Sequence, residues 1–115
     1  MMDLVIEKMA KEHISQLAEL EKQCFSTPWS ENALAEELTN PHARFFVCLK
    51  AGVVCGYIGA HNVVGEVYIT NVGVLPQYRG QGIGAMLVGF LKEYSHTEGA
   101  DFITLEVRKS SQQLR

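Results

Sequence analysis

The residues best placed to do chemistry form one short run, Arg79-Gly80-Gln81-Gly82-Ile83-Gly84, which leads directly into a helical pattern. The first amides of a helix have no acceptor inside it, and the helix dipole gathers partial positive charge there. Glycines let that backbone approach a pyrophosphate closely, and Arg79 adds a charged donor. A turn chosen only for close packing is the plainer reading, but alternating glycines behind an arginine exceed what a turn needs. The run also fits a loose dinucleotide fingerprint, with Gly80, Gly82 and Ala85 as its small residues and Glu106 at ribose-contact distance. Two features oppose that ligand. Leu75-Pro76-Gln77-Tyr78 separates the run from its strand, and the strands before it read as an antiparallel meander. No Gly-Lys-Ser/Thr follows, which excludes a Walker loop.

Glu106 is the second chemical candidate, alone among Phe102, Ile103, Leu105 and Val107. It can take a proton from a reacting group, or it can share a solvated strand face with Arg108. Spacing leaves both readings open. Four histidines and three cysteines (Cys24, Cys48, Cys55) are scattered without ligand spacing, so no metal is expected. Cys48 and Cys55 flank a tight turn and can face each other across a hairpin. Their odd number and wide spacing favour small apolar roles over a disulfide framework.

These groups need elements to hold them. Leu4-Val5-Ile6 predicts a first strand. Ile14, Leu17, Ala18, Cys24 and Phe25 predict a helix from His13, broken by Thr27-Pro28-Trp29-Ser30. Ser30 caps a second helix, with Leu34 and Leu38 on one face and a stop near Asn40-Pro41. Strands follow over Phe45–Leu49, Val53–Ala60 and Glu66–Val74, the first two joined by the Lys50-Ala51-Gly52 turn. In the last of these, Val67 and Ile69 set one alternation, and Val72 and Val74 continue it one residue out of phase. A β-bulge near Thr70-Asn71 would keep both pairs inward; a strand buried on both faces is the alternative. Ile83, Leu87, Phe90, Leu91 and Tyr94 then mark an amphipathic helix ending at Glu98-Gly99, and Phe102–Val107 a final strand.

Length and charge bound the rest. The chain has 115 residues and a formal charge of −3. That suits a single domain over residues 1–115 and argues against an electrostatic grip on nucleic acid or anionic membrane. No apolar run reaches the roughly 18 residues of a membrane span. The first residues lack the pattern of a secretory signal, so a cytoplasmic location is expected.

The glycine run, together with Val74-Leu75-Pro76 before it, resembles the R/Q-x-x-G-x-G/A motif of the GNAT superfamily of N-acetyltransferases. Phe25-Ser26-Thr27-Pro28-Trp29-Ser30 and Leu105-Glu106-Val107-Arg108 are similar to its ribosomal-protein-alanine N-acetyltransferases of the RimI type. The resemblance implies a mixed α+β fold, an antiparallel β-meander followed by a βαβ unit for acetyl-CoA. It implies that Val72, Gly73 and Val74 meet the acetyl-pantetheine arm, and that Arg79, Gly80, Gln81, Gly82, Ile83 and Gly84 hold the pyrophosphate. It makes Glu106 the general base and Trp29 a wall of the acceptor groove, although a lone Trp is as a rule packing. The expected acceptor is the N-terminus of a protein, a ribosomal one by this likeness. An α-amine titrates near ~7.7–8, whereas a lysine near ~10.4 must give up roughly 4 kcal/mol more to become neutral.

Members of the superfamily continue past the Leu-Glu-Val-Arg segment with a Ser-Asn pair, a helix carrying a proton-donating Tyr, and two further strands. Here Ser111 stands where Asn is expected, and the sequence given stops at Arg115. Three expectations follow: a C-terminally truncated, weakened enzyme, a homodimer completed through the last strand, or a non-catalytic acyl-CoA-binding module.

Overall fold

The computed structural model describes residues 3–100 and the backbone course of 102–105. The alternating apolar segments become one sheet whose strands lie in chain order: β1 (Leu4–Lys8), β2 (Ala43–Lys50), β3 (Val53–Val63), β4 (Glu66–Val74) and β5 (Phe102–Leu105). The first four pair antiparallel through short connections. β5 joins β4 in parallel, which requires a crossover, and α3 (Ile83–Thr97) supplies it. This meander removes the parallel sheet that a dinucleotide fingerprint should open.

Both faces of the sheet are covered. α1 (Ile14–Cys24) and α2 (Glu31–Glu36) lie on one, where Leu17, Leu20 and Leu34 pack on Phe45, Val47 and Tyr57. α3 lies on the other, where Ile83, Leu87 and Leu91 pack on Phe46, Ile58, Val72 and Val74. Each fully buried large apolar side chain contributes about 1.5–3 kcal/mol. Local signals set the helix limits. The Ser30 hydroxyl accepts the Ala33 N–H at 3.1 Å and starts α2. Gly99, at φ +79°, ends α3, with the Ala100 N–H reaching back to Ser95 O at 3.0 Å.

The expected bulge in β4 is present. Gly59 pairs with Asn71 and Ala60 with Ile69, so Thr70 is the extra residue. Val67, Ile69, Val72 and Val74 consequently all face α3. Three expectations need correction. α2 ends at Glu36, because the Glu37 N–H bonds to Leu34 O and Leu38 N–H to Ala35 O, tightening the last turn. Leu38 is therefore turned outward and 37% exposed, while Leu34 is fully buried. β3 runs on to Val63, because its pairing with β4 continues to Val63↔Glu66. Cys48 does not face Cys55: a second bulge pairs Cys48 with Gly56, and the Cys55 thiol donates to Cys48 O at 3.4 Å.

Two predictions follow from this packing. A Cβ added at Gly59 would stand 2.4 Å from the Phe45 ring, which is wedged among Trp29, Tyr57 and His61. Gly59→Ala should cost about 1–3 kcal/mol, read from the urea midpoint. Burial, and next the neighbouring Cys55, push the Cys48 thiol up to about 12. The unfolded thiol titrates near ~8.5, so this contribution is full below that pH and fades as pH rises toward the native value. Thermal midpoints should decline between about pH 9 and about pH 11, less steeply in Cys48→Ala.

Candidate functional site

The site is built mainly from backbone. Among the described residues, pairing of β4 with β5 runs from Glu66↔Phe102 to Ile69↔Leu105. Past the bulge, Asn71–Val74 stay paired with β3 on one side. On the other side, Val72, Gly73 and Val74 meet no strand among the described residues. A strand directs alternate N–H and C=O groups to each flank, so among the described residues this stretch has backbone groups that β3 does not take and an extended ligand can reach. α1 closes over it. A Cβ at Gly73 would lie 3.0 Å from Leu20 Cδ2 and 3.4 Å from Phe25 Cε2.

The glycine run begins where β4 ends. After a single 3-10 turn at Pro76–Tyr78, Gly80 and Gly82 take φ of +82° and +79°, and Gly82 caps α3. A Cβ on either would meet nothing within 4 Å. Backbone conformation therefore requires these glycines, and tight packing does not. Their open side is room in which a ligand can approach. The first helical bond is Met86 N–H to Gly82 O at 3.0 Å, and the amides ahead of it have no acceptor within the helix. No backbone carbonyl among the described residues receives the N–H of Gly80, Gln81 or Gly82. Ile83, buried to 2%, anchors the helix, and a Cβ at Gly84 would lie 4.0 Å from Val74 Cγ2. The helix mouth and the end of β4 thus adjoin.

The structure gives the Arg79 side chain a role that its sequence position did not announce. Nε donates to Val74 O at 3.0 Å and Nη2 to Cys24 Sγ at 3.5 Å, while the Cys24 thiol donates to the same carbonyl at 3.3 Å. Arg79 thereby ties the glycine run to the end of β4 and to α1. Burial pushes the Cys24 thiol up, although the adjacent guanidinium and its hydrogen bond pull the other way. Cys24 is a packing residue, not a nucleophile.

On the α1 side, half-buried Trp29 packs on the core with its ring 6.0 Å from Phe45. Its backbone N–H donates to Glu21 Oε1 at 2.8 Å. Glu21 is fully buried, and its Oε2 accepts from the Tyr57 hydroxyl. Tyr57 in turn accepts from Asn71 Nδ2 at 3.0 Å. Sequence reasoning passed over Glu21. The signal was available: it lies three residues before Cys24 and four after Leu17, on the apolar face of α1. Beside the bulge, Asn40, His42, His61, Val63, Tyr68 and Thr70 line an open hollow of about 450 Å³. His61 Nε2 stands 3.0 Å from Glu37 Oε1 at this wall. Glu106 lies outside the described residues, one position beyond Leu105 in the sequence. Among the described residues no three His, Cys, Asp or Glu side chains gather as metal ligands. None of the described helices is long and apolar enough to cross a membrane.

Comparison with known proteins agrees with this geometry. The Acetyltransferase (GNAT) family matches residues 14–115. A putative ribosomal protein bS18-alanine N-acetyltransferase of Bacillus subtilis is 35% identical over 107 residues, covering 92% of this chain and 71% of that protein. The N-alpha-acetyltransferase RimI of Mycobacterium tuberculosis is 30% identical over 111 residues, covering 91% of this chain and 68% of that protein. Among solved structures, the ribosomal-protein-S18-alanine N-acetyltransferase of Escherichia coli superposes with a TM-score of 0.84 at 24% identity, over 95% of this chain and 70% of that one. The PaiA N-acetyltransferase of Thermoplasma acidophilum, in complex with coenzyme A, gives 0.84 at 17% identity, over 96% and 83%. At these identities the structural likeness establishes the fold.

Arg79→Ala should destabilise the protein by about 1.5–3 kcal/mol, the range for hydrogen bonds from a charged donor. Arg79→Lys keeps the charge but not the fork, and should recover less than half of that loss in denaturant titrations.

Proposed function

We propose, from the premise that the chain belongs to the acetyltransferase (GNAT) family, that it moves acetyl from acetyl-CoA to the N-terminal α-amine of a protein, in the first instance a ribosomal protein beginning with alanine. One observation carries this reading: the Val72–Val74 stretch, which meets no second strand among the described residues, adjoins the open amides at the mouth of α3. Such a pair of features suits a ligand with an extended, amide-bearing arm ending in a diphosphate. Acetyl-CoA has that shape, and when bound it supplies an activated thioester carbonyl.

The chain's own groups divide the remaining work. Backbone groups along Val72, Gly73 and Val74 that are not taken by β3, Arg79 or Cys24 bind the arm as a neighbouring strand would. The amides of Gly80, Gln81, Gly82, Ile83 and Gly84 take the diphosphate, helped by the helix dipole. With Nε and Nη2 of Arg79 bonded to Val74 O and Cys24 Sγ, its contribution is to hold the run in place. Backbone N–H groups beside the bulge polarise the carbonyl under attack. Glu106, assigned by family likeness, takes the proton that leaves the attacking amine as the C–N bond forms and the C–S bond breaks, and the departing thiolate is protonated from solvent. The segment around Trp29 and the hollow beside Thr70 receive the acceptor. The names of the Bacillus subtilis relative and the Escherichia coli structure support the choice of ribosomal acceptor, because both name ribosomal protein S18. An α-amine, part neutral at physiological pH, also asks less of a single carboxylate than a lysine does.

Three measurements test this. Calorimetry should show acetyl-CoA binding, and Gly82→Ala should weaken it about tenfold, given the ~1–2 kcal/mol of strain at positive φ. Glu106→Gln should lower kcat by about 10²–10⁴ while leaving coenzyme affinity within about twofold. Release of free thiol should be faster with an alanine-initiated peptide than with its α-blocked, lysine-containing counterpart. Faster turnover of the α-blocked peptide removes the N-terminal reading, and binding without turnover of either removes the enzyme.

A further inference from the structure

A carboxyl on the core-facing side of a helix demands an explanation. Glu21 is fully buried on α1, where an apolar side chain of similar volume would pack without the need for polar partners. Its two oxygens accept from two different parts of the fold. Oε1 takes the Trp29 N–H, in the segment joining α1 to α2, at 2.8 Å. Oε2 takes the Tyr57 hydroxyl on β3. From Tyr57 the bonds continue to Asn71 Nδ2 at 3.0 Å, and Asn71 Oδ1 accepts from the Thr70 hydroxyl at 2.5 Å. Thr70 is the bulge residue itself. One unbroken series of side-chain bonds thus links the bulge to the segment that carries the chain's one tryptophan.

We infer that Glu21 is a positioning residue: it fixes the Trp29 segment relative to the bulge, and so holds the acceptor amine in line with the carbonyl delivered along Val72–Val74. This rests on the acetyl-transfer reading for its kinetic consequence, though not for the coupling itself. The series does not include the glycine run or the mouth of α3. Loosening it therefore changes acceptor placement and leaves the diphosphate grip intact. Reactions that depend on near-attack geometry lose much from small displacements of this kind.

Glu21→Gln is the sharpest probe, since it keeps size and replaces one acceptor by a donor. If the amide nitrogen faces Trp29, two N–H groups oppose each other. If it faces Tyr57, the hydroxyl proton loses its acceptor. Tyr57→Phe cuts the series on the other side while keeping the ring packed against Phe45. In both variants, acrylamide quenching of Trp29 fluorescence should increase about twofold, a readout that needs no turnover. In steady-state assays with an alanine-initiated peptide, the acceptor KM should rise about tenfold while the acetyl-CoA Kd stays within about twofold. The double variant should be no worse than the more affected single, because both cut one series.

The inference is overturned if quenching is unchanged in the variant that folds, or if acetyl-CoA affinity falls as far as acceptor KM rises. Should Glu21→Gln fail to fold, Tyr57→Phe carries the same two measurements. If the unaltered chain transfers no acetyl group, the function proposed above fails, and quenching alone decides whether Glu21 couples segment to bulge.

Discussion

Thr70 has no partner residue across the β3–β4 ladder: Gly59 faces Asn71 and Ala60 faces Ile69. That single surplus residue sets the relation between the two halves of β4. Before it, β4 is an ordinary interior strand, bonded to β3 and β5. After it, the strand keeps β3 and has no described partner on its other flank. Because the surplus residue also resets the side-chain alternation, Val72 and Val74 stay beneath α3. A bend without that reset would turn two valines toward α1 and Asn71 into the apolar layer under α3. The bulge thus shifts the pairing register without disturbing the core.

The bulge was legible because it left a phase error in an otherwise regular pattern, and such errors survive in a sequence when the strand has a defined apolar face. The glycine run was legible for a related reason: Gly80 and Gly82 stand where the backbone needs positive φ, and side chains rarely adopt it. The Ser30 cap and Gly99 stop were readable from local chemistry alone. What escaped the sequence depends on contacts distant along the chain. Cys55 becomes a bulge residue through pairing that no alternation announces. Leu38 falls off the helical face because the last turn of α2 tightens. The bonds from the Arg79 guanidinium to a carbonyl five residues back and to a thiol on α1 likewise had no local signal.

The two sides of the site differ in what holds them. On the α3 side, the proposed groove is a matter of backbone: the amides at the helix mouth and two left-handed glycines. Side chains there serve to aim the backbone. Ile83 buries the first turn, and Arg79 with Cys24 converges on Val74 O. On the α1 side, side chains do the work. Glu21, Tyr57 and Asn71 are buried polar groups whose bonds reach across three elements. Buried polar networks of this kind specify one arrangement when satisfied and penalise others heavily.

This division has a consequence for how such a fold can vary. A groove made of backbone constrains few residue identities: a bulge, two glycines and an apolar anchor suffice, and most other positions can change without altering the ligand. A wall made of side-chain bonds constrains each member, since removing one partner leaves the others buried and unsatisfied. Coenzyme binding is therefore the property most easily retained as sequences diverge, and acceptor choice the one most easily changed. Residues that bridge the two sides are few. Thr70 and Asn71 begin the network from the bulge, and Phe25 and Leu20 press on Gly73 from α1. At those positions a substitution acts on both sides at once, because the same strand presents its backbone to the proposed coenzyme groove and its side chains to the proposed acceptor wall.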